Sequence, residues 1–156
     1  NVYQDARPAI GPDRPVDWSA ELELFSNLAP GSLILGDPTT GIGYAPAYAN
    51  VDVVFPQVNF HPDDVEGLYL IDNFAAIHTD PRVCEILSAR GIGYYYSDAA
   101  LVYQKRDRAE TWPGLYGVDT SQGFTEIAES DGGTLWRIDS CGPIPEPQWW
   151  NLDARK

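Results

Sequence analysis

The chain has 156 residues, of which 44% are apolar, with five Trp, nine Tyr and five Phe. That is enough for one domain with a real core, and too apolar for disorder. A net charge of -13, from 23 acids against 10 bases, repels nucleic acid and anionic lipid headgroups, and no stretch approaches the ~18 apolar residues of a membrane span.

Residues 1–17 are polar and Pro-rich (Arg7-Pro8, Gly11-Pro12, Arg14-Pro15) and read as a linker or arm. Asp17 or Ser19 caps a predicted helix running to Leu28, with Leu22, Phe25 and Leu28 as its buried stripe. Ala29-Pro30-Gly31 stops it, and Ser32–Leu35 follows as the first strand. The segment Gly31 to Gly43 then turns through Asp37-Pro38-Thr39-Thr40-Gly41. This is how a buried parallel strand hands over at the sheet's C-terminal edge, where α/β proteins bind ligands. Ile42 to Ala49 is expected as a short helix with Pro46 in its first turn, and Val51 to Phe55 as a second strand closed by Pro56.

His61-Pro62-Asp63-Asp64 reads as a helix start with proline at its first position, continuing to about Ile77 as one helix or two short ones. Thr79-Asp80-Pro81 starts another, with Val83, Ile86 and Leu87 on one face and Arg90-Gly91 ending it. Ile92 to Tyr96 is the third strand, closed by Ser97-Asp98. Tyr103 to Thr120 reads as a long loop holding Trp112 and Tyr116. Phe124 to Glu129 and Thr134 to Asp139 flank Ser130-Asp131-Gly132-Gly133 as a hairpin, with Leu135, Arg137 and Asp139 on one side and Trp136 and Ile138 on the other. Residues 142–156 form a Pro-rich tail with Trp149-Trp150, expected to dock back onto the domain. The expected architecture is a single α/β domain over residues 18–141: a small three-layer Rossmann-like fold, parallel core sheet with a C-terminal antiparallel hairpin.

The chemistry-bearing motifs are weak. The Gly36–Gly43 loop lacks the Lys-Ser/Thr of a phosphate loop, because Ile42 and Tyr44 flank Gly43, and it lacks the dinucleotide spacing. Asp37 and Thr39 suit local turn hydrogen bonds as readily as a sugar hydroxyl. His61 and His78 have no metal-ligand spacing, and neither a Ser-His-Asp nor a Cys-His arrangement occurs, so no metal, cofactor or catalytic residue is assigned. Asp37, Thr39, Thr40, His61 and Asp98 stand as candidate ligand contacts, provided that their loops converge. Cys84 and Cys141 are compatible with one disulfide in an oxidising compartment, or with two reduced core cysteines. The absence of methionine, even at position 1, suggests a processed or excised piece.

From Gly31 to about Ile138 the chain resembles the C-terminal extracytoplasmic domain of large polytopic membrane proteins from actinobacteria, an uncharacterised family whose membrane part is reminiscent of GT-C glycosyltransferases acting on polyprenyl-phosphate sugars. The matching pieces are Gly36-Asp-Pro-Thr-Thr-Gly41, Val53-Val-Phe-Pro56, Asp80-Pro-Arg-Val-Cys84 through Gly91, Ile92–Tyr96 and Thr134-Leu-Trp-Arg-Ile138. Relatives often carry a Trp-Thr-Gly or Trp-Asp-Gly turn where this chain reads Thr39-Thr40-Gly41, so an aromatic role there does not carry over. The resemblance implies a non-catalytic cap on the extracytoplasmic face of a cell-envelope membrane protein. It implies a partner in the transmembrane region of the same polypeptide, a glycan or polyprenyl-linked sugar as ligand class, and no nucleic acid. Two other readings stay open: an independent glycan- or protein-binding module, and a small hydrolase using strand-end carboxylates.

Overall fold

A computed structural model of the chain describes residues 23–56, 61–98, 102–103, 106–130 and 133–145. The arm over 1–17, the helix cap at Asp17 or Ser19, and Trp149-Trp150 lie outside them. Residues 23–25 are helical, and Phe25 and Leu28 of the expected stripe are buried, together with Leu24.

Strand β1 (Leu33–Leu35) is buried at every position, as a strand covered on both faces must be. A 3-10 turn (Gly41–Tyr44) leads into the short helix α1 (Ala45–Ala49), with Pro46 in its first turn, and Asn50 ends it in the left-handed region at φ 52°. Strand β2 is shorter than expected, with only Asp52–Val53 in the ladder, although Val51, Val54 and Phe55 are buried around it.

Helix α2 (Val65–Asn73) starts one turn later than the sequence suggests. Asp64, not His61, is its cap: Asp64 Oδ1 accepts the Gly67 N–H at 3.0 Å and the Arg90 guanidinium at 3.1 Å. Pro62 falls in the turn before the helix. The capping side chain must reach a first-turn amide, and of the candidates in this run Asp64 also has the cation of a neighbouring helix beside it. A 3-10 turn (Phe74–Ala76) follows, so the stretch to Ile77 is broken in two. Helix α3 (Pro81–Arg90) has the expected ends. Asp80 caps it through the Arg82 N–H, and Gly91 closes it at φ 71°.

Strand β3 (Ile92–Asp98) runs two residues beyond Tyr96, because Ser97 and Asp98 continue the ladder opposite Thr134 and Gly133. The expected loop over Tyr103 to Thr120 carries a two-stranded ribbon, β4 (Val102–Tyr103) with β5 (Arg106–Asp107), then helix α4 (Arg108–Thr111) and a 3-10 turn (Pro113–Leu115). That turn is pressed onto α2: a Cβ added at Gly114 would stand 2.5 Å from the Ile71 carbonyl oxygen and 2.6 Å from the Asn73 amide. Strands β6 (Phe124–Ser130) and β7 (Gly133–Ile138) form the expected hairpin, with a bulge in β6 between Glu126 and Ala128.

The five-stranded sheet has the order β2-β1-β3-β7-β6. β2, β1 and β3 are parallel, while β3, β7 and β6 are antiparallel. The domain is therefore α/β with a mixed sheet: three parallel strands, beside which the expected antiparallel hairpin pairs along most of β3. Side chains alternate between two cores. Leu33, Leu35, Ile92, Tyr95 and Ile138 face the larger one with α2 and α3, and Ile34, Tyr96 and Leu135 face the smaller one with Phe25 and Ile42.

Candidate functional site

The turn after β1 is built by its own hydroxyls. Asp37 is 4% exposed. Its Oδ1 accepts the Thr39 amide at 2.8 Å and the Thr39 hydroxyl at 2.6 Å. Thr40 donates its hydroxyl to the Asp37 carbonyl at 2.7 Å and accepts the Ile42 amide at 3.4 Å, which caps the 3-10 turn. The other carboxylate oxygen of Asp37 accepts the Tyr116 hydroxyl. Gly36 is closely packed, since a Cβ there would meet Ile42 Cδ1 at 2.7 Å and the Tyr96 carbonyl oxygen at 3.2 Å.

Beside this turn, the Tyr95 hydroxyl donates to the Leu115 carbonyl at 2.7 Å. Burial, and then the nearby Asp37 charge, push its pKa well above the ordinary tyrosine value, so it remains a donor at neutral pH. Tyr95 and Tyr116 tie the Pro113–Leu115 turn down over the end of β1. Both carboxylate oxygens of Asp37, and both Thr hydroxyls, are thus engaged by protein groups. The role of Tyr116 escaped the sequence reading; its signal was an aromatic-rich Trp112-Pro-Gly-Leu-Tyr116 inside an otherwise polar stretch.

The register brings some candidates together and separates others. Leu35 pairs with Tyr95 and Ile34 with Val53, so Asp37, Pro56 and Asp98 all emerge at the C-terminal edge of the parallel strands. His61 does not join them. It lies one turn ahead of Asp64, which is bonded to Arg90, two residues before β3 begins. The seven residues of β3 separate the two ends by roughly 20 Å. His61 is largely exposed, and its Nδ1 accepts the Asp63 amide at 3.3 Å. A cleft of Asp37, His61 and Asp98 therefore does not form.

Cys84 and Cys141 are joined in a disulfide, with Cα atoms 5.2 Å apart. It fastens the first half of α3 to the turn after β7. Among the described residues no group of three or more His, Cys, Asp or Glu side chains could hold a metal, and no helix is long and apolar enough to cross a membrane.

A mixed five-stranded sheet between helices defines a small α/β domain, whose buried acid Asp37 is held at one edge by hydrogen bonds from its own turn and from Tyr116. The chain belongs to a family of unknown function, DUF6541, which matches residues 1–140. No curated protein matches it. Its fold is similar to the C-terminal globular domain of an oligosaccharyltransferase, AglB-S2, from Archaeoglobus fulgidus: 12% identity, TM-score 0.52, over 81% of this chain and 99% of that one. At that identity the likeness is one of fold.

Proposed function

We propose that this chain is the extracytoplasmic domain of a membrane-embedded, glycosyltransferase-like protein of the cell envelope, with the chemistry carried by a membrane part of the same polypeptide. The observation that carries the reading is the likeness to almost the whole of an oligosaccharyltransferase globular domain. On this reading residues 1–17 are the arm leading out of the membrane part, 18–141 the domain and 142–156 its tail. The ligand class is a glycan or a polyprenyl-linked sugar, and the domain shapes the outer side of the site without supplying a catalytic group. The net charge of -13 keeps such a domain away from anionic headgroups and in the aqueous phase.

The test is topological. The coding sequence upstream of Asn1 should specify several hydrophobic spans, and an epitope tag after Lys156 should be removed by protease added to intact cells. A lone secretion signal upstream, or a tag protected until the cells are lysed, overturns the reading.

A further inference from the structure

The sheet edge opposite Asp37, where β3 begins and β7 ends, holds an open pocket of about 440 Å³. That lies in the range of ~300–1,000 Å³ typical of small-molecule sites. Gly93, Tyr94, Arg137, Asp139, Pro143 and Ile144 are among its lining residues.

Gly93 leaves bare backbone in this lining. Glycine inside a strand costs about 0.5–1 kcal/mol relative to alanine. The φ of Gly93 is not positive and a Cβ built on it meets nothing within 4 Å, but the position is a β-bulge, where the register between β1 and β3 shifts, and a strand glycine often marks one. The ladder to β1 skips from Ile92 to Tyr94, and the ladder to β7 starts at Tyr94, so Gly93 has no partner residue on either side. Its bare backbone lines the pocket, with open space above it for a ligand atom.

The polar wall sets the ligand's charge. Arg137 Nε donates to Asp139 Oδ1 at 2.8 Å and its Nη2 donates to the Thr125 hydroxyl at 3.3 Å, while Thr125 donates to the second oxygen of Asp139. The fork is neutral overall, in a chain of strongly negative charge. These bonds engage two of the five guanidinium N–H donors, and the carboxylate has further lone pairs. This exposed pair sets donors and acceptors side by side, a pattern that two neighbouring hydroxyls of a sugar ring can answer. Pro143, Ile144 and the start of β1 at Leu33 supply an apolar wall for a C–H face. The wall over 142–145 follows directly on Cys141, which the disulfide anchors to α3.

We propose that this pocket binds a single neutral sugar residue through the Arg137–Asp139 fork, the apolar wall at Pro143 and Ile144, and the open backbone at Gly93. The proposal deepens the reading above, on which its ligand class partly rests. Its test uses the chain in solution and is independent of membrane topology, so either can fail alone.

Amide spectra of the 156-residue chain are recorded during titration with the methyl pyranosides of glucose, mannose, galactose and N-acetylglucosamine. At least one sugar should give saturable shifts confined to residues 91–94, 137–139, 142 and 144. Gly93→Val fills the pocket from a position whose Cβ touches nothing. It should keep the melting temperature and weaken that sugar about tenfold, equivalent to ~1.4 kcal/mol. If the valine unfolds the chain, Gly93→Ala provides the same comparison. No saturable shift with any glycoside, unchanged affinity in the Gly93 variant, or a response to a polyproline peptide in place of the glycosides overturns the proposal.

Discussion

Breaking the Cys84–Cys141 bond should remove a large part of the stability of this domain. The two positions are 57 residues apart in sequence. The loop-closure relation, 2.1 + 1.5R ln n in cal/mol/K, then gives about 4 kcal/mol at 25 °C. Both cysteines are partly buried against the larger core, as is Ile144 just beyond them. Alanine at both sites therefore loses a little packing in addition to the cross-link. Against a total of ~5–15 kcal/mol for a domain, this is enough to lower the melting temperature by roughly 8–16 °C at this chain length. The assay is urea unfolding of the oxidised chain, the reduced chain and the Cys84→Ala/Cys141→Ala variant. Each single alanine variant should unfold close to the double one, since either change alone abolishes the bond. A double variant within about 1 kcal/mol of the oxidised protein would refute the loop-entropy argument. Equal masses before and after reduction, where a gain of two hydrogens is expected, would refute the bond itself.

Two further outcomes follow from the packing and the charges. Gly114→Ala drives a Cβ into three backbone atoms of α2 at 2.5 to 2.6 Å, and should cost about 1–3 kcal/mol in urea unfolding; an unchanged midpoint would mean that the Pro113–Leu115 turn does not rest on α2. The pKa of Asp139 is held below the ordinary value chiefly by its hydrogen bond from Arg137, and that of Asp119 by the Ser121 hydroxyl and amide. A carboxylate with a depressed folded-state pKa adds stability that is fully present above the unfolded value, ~3.9, and is lost as pH falls through the folded one. The unfolding midpoint should therefore stay flat from neutral pH down to about 5 and fall below about 4, less steeply in Asp139→Asn; a midpoint constant into strong acid, or an identical slope in the variant, would contradict this.

What could be read from the sequence was what is decided locally. The ends of α3 are encoded within a few residues, Asp80-Pro81 at one and Arg90-Gly91 at the other, and both came out as expected. The β6–β7 hairpin carries its own turn and alternation. The start of α2 was not legible, because several residues in His61-Pro62-Asp63-Asp64 suit a helix start and the choice is reinforced by Arg90, 26 residues away. The extra length of β3 comes from β7. The elements inside Tyr103 to Thr120 are short and held by tertiary contact, with Trp112 and Leu115 each 3% exposed; no local period announces them. The candidate site divides the same way. The Asp37–Thr39–Thr40 turn follows from spacing alone, whereas its brace, Tyr116, is 79 residues distant.

The rule that α/β proteins bind ligands at the C-terminal edge of their parallel strands rests on helices whose N-termini point there. In this chain the segment following β1 is a 3-10 turn, and its Ile42 amide is already capped by Thr40. The physical basis of the rule is therefore weak at Asp37, and the loop that looked most like a site is closed by its own side chains. The antiparallel hairpin changes the other edge. Because β7 runs against β3, its end carries Arg137, Asp139 and the disulfide-anchored turn to the place where β3 starts. A purely parallel sheet would leave only strand entries on that side. The mixed topology thus puts an acid, a base and a bare strand backbone on the edge that the rule discounts, and a ligand search guided by the rule alone would not reach them.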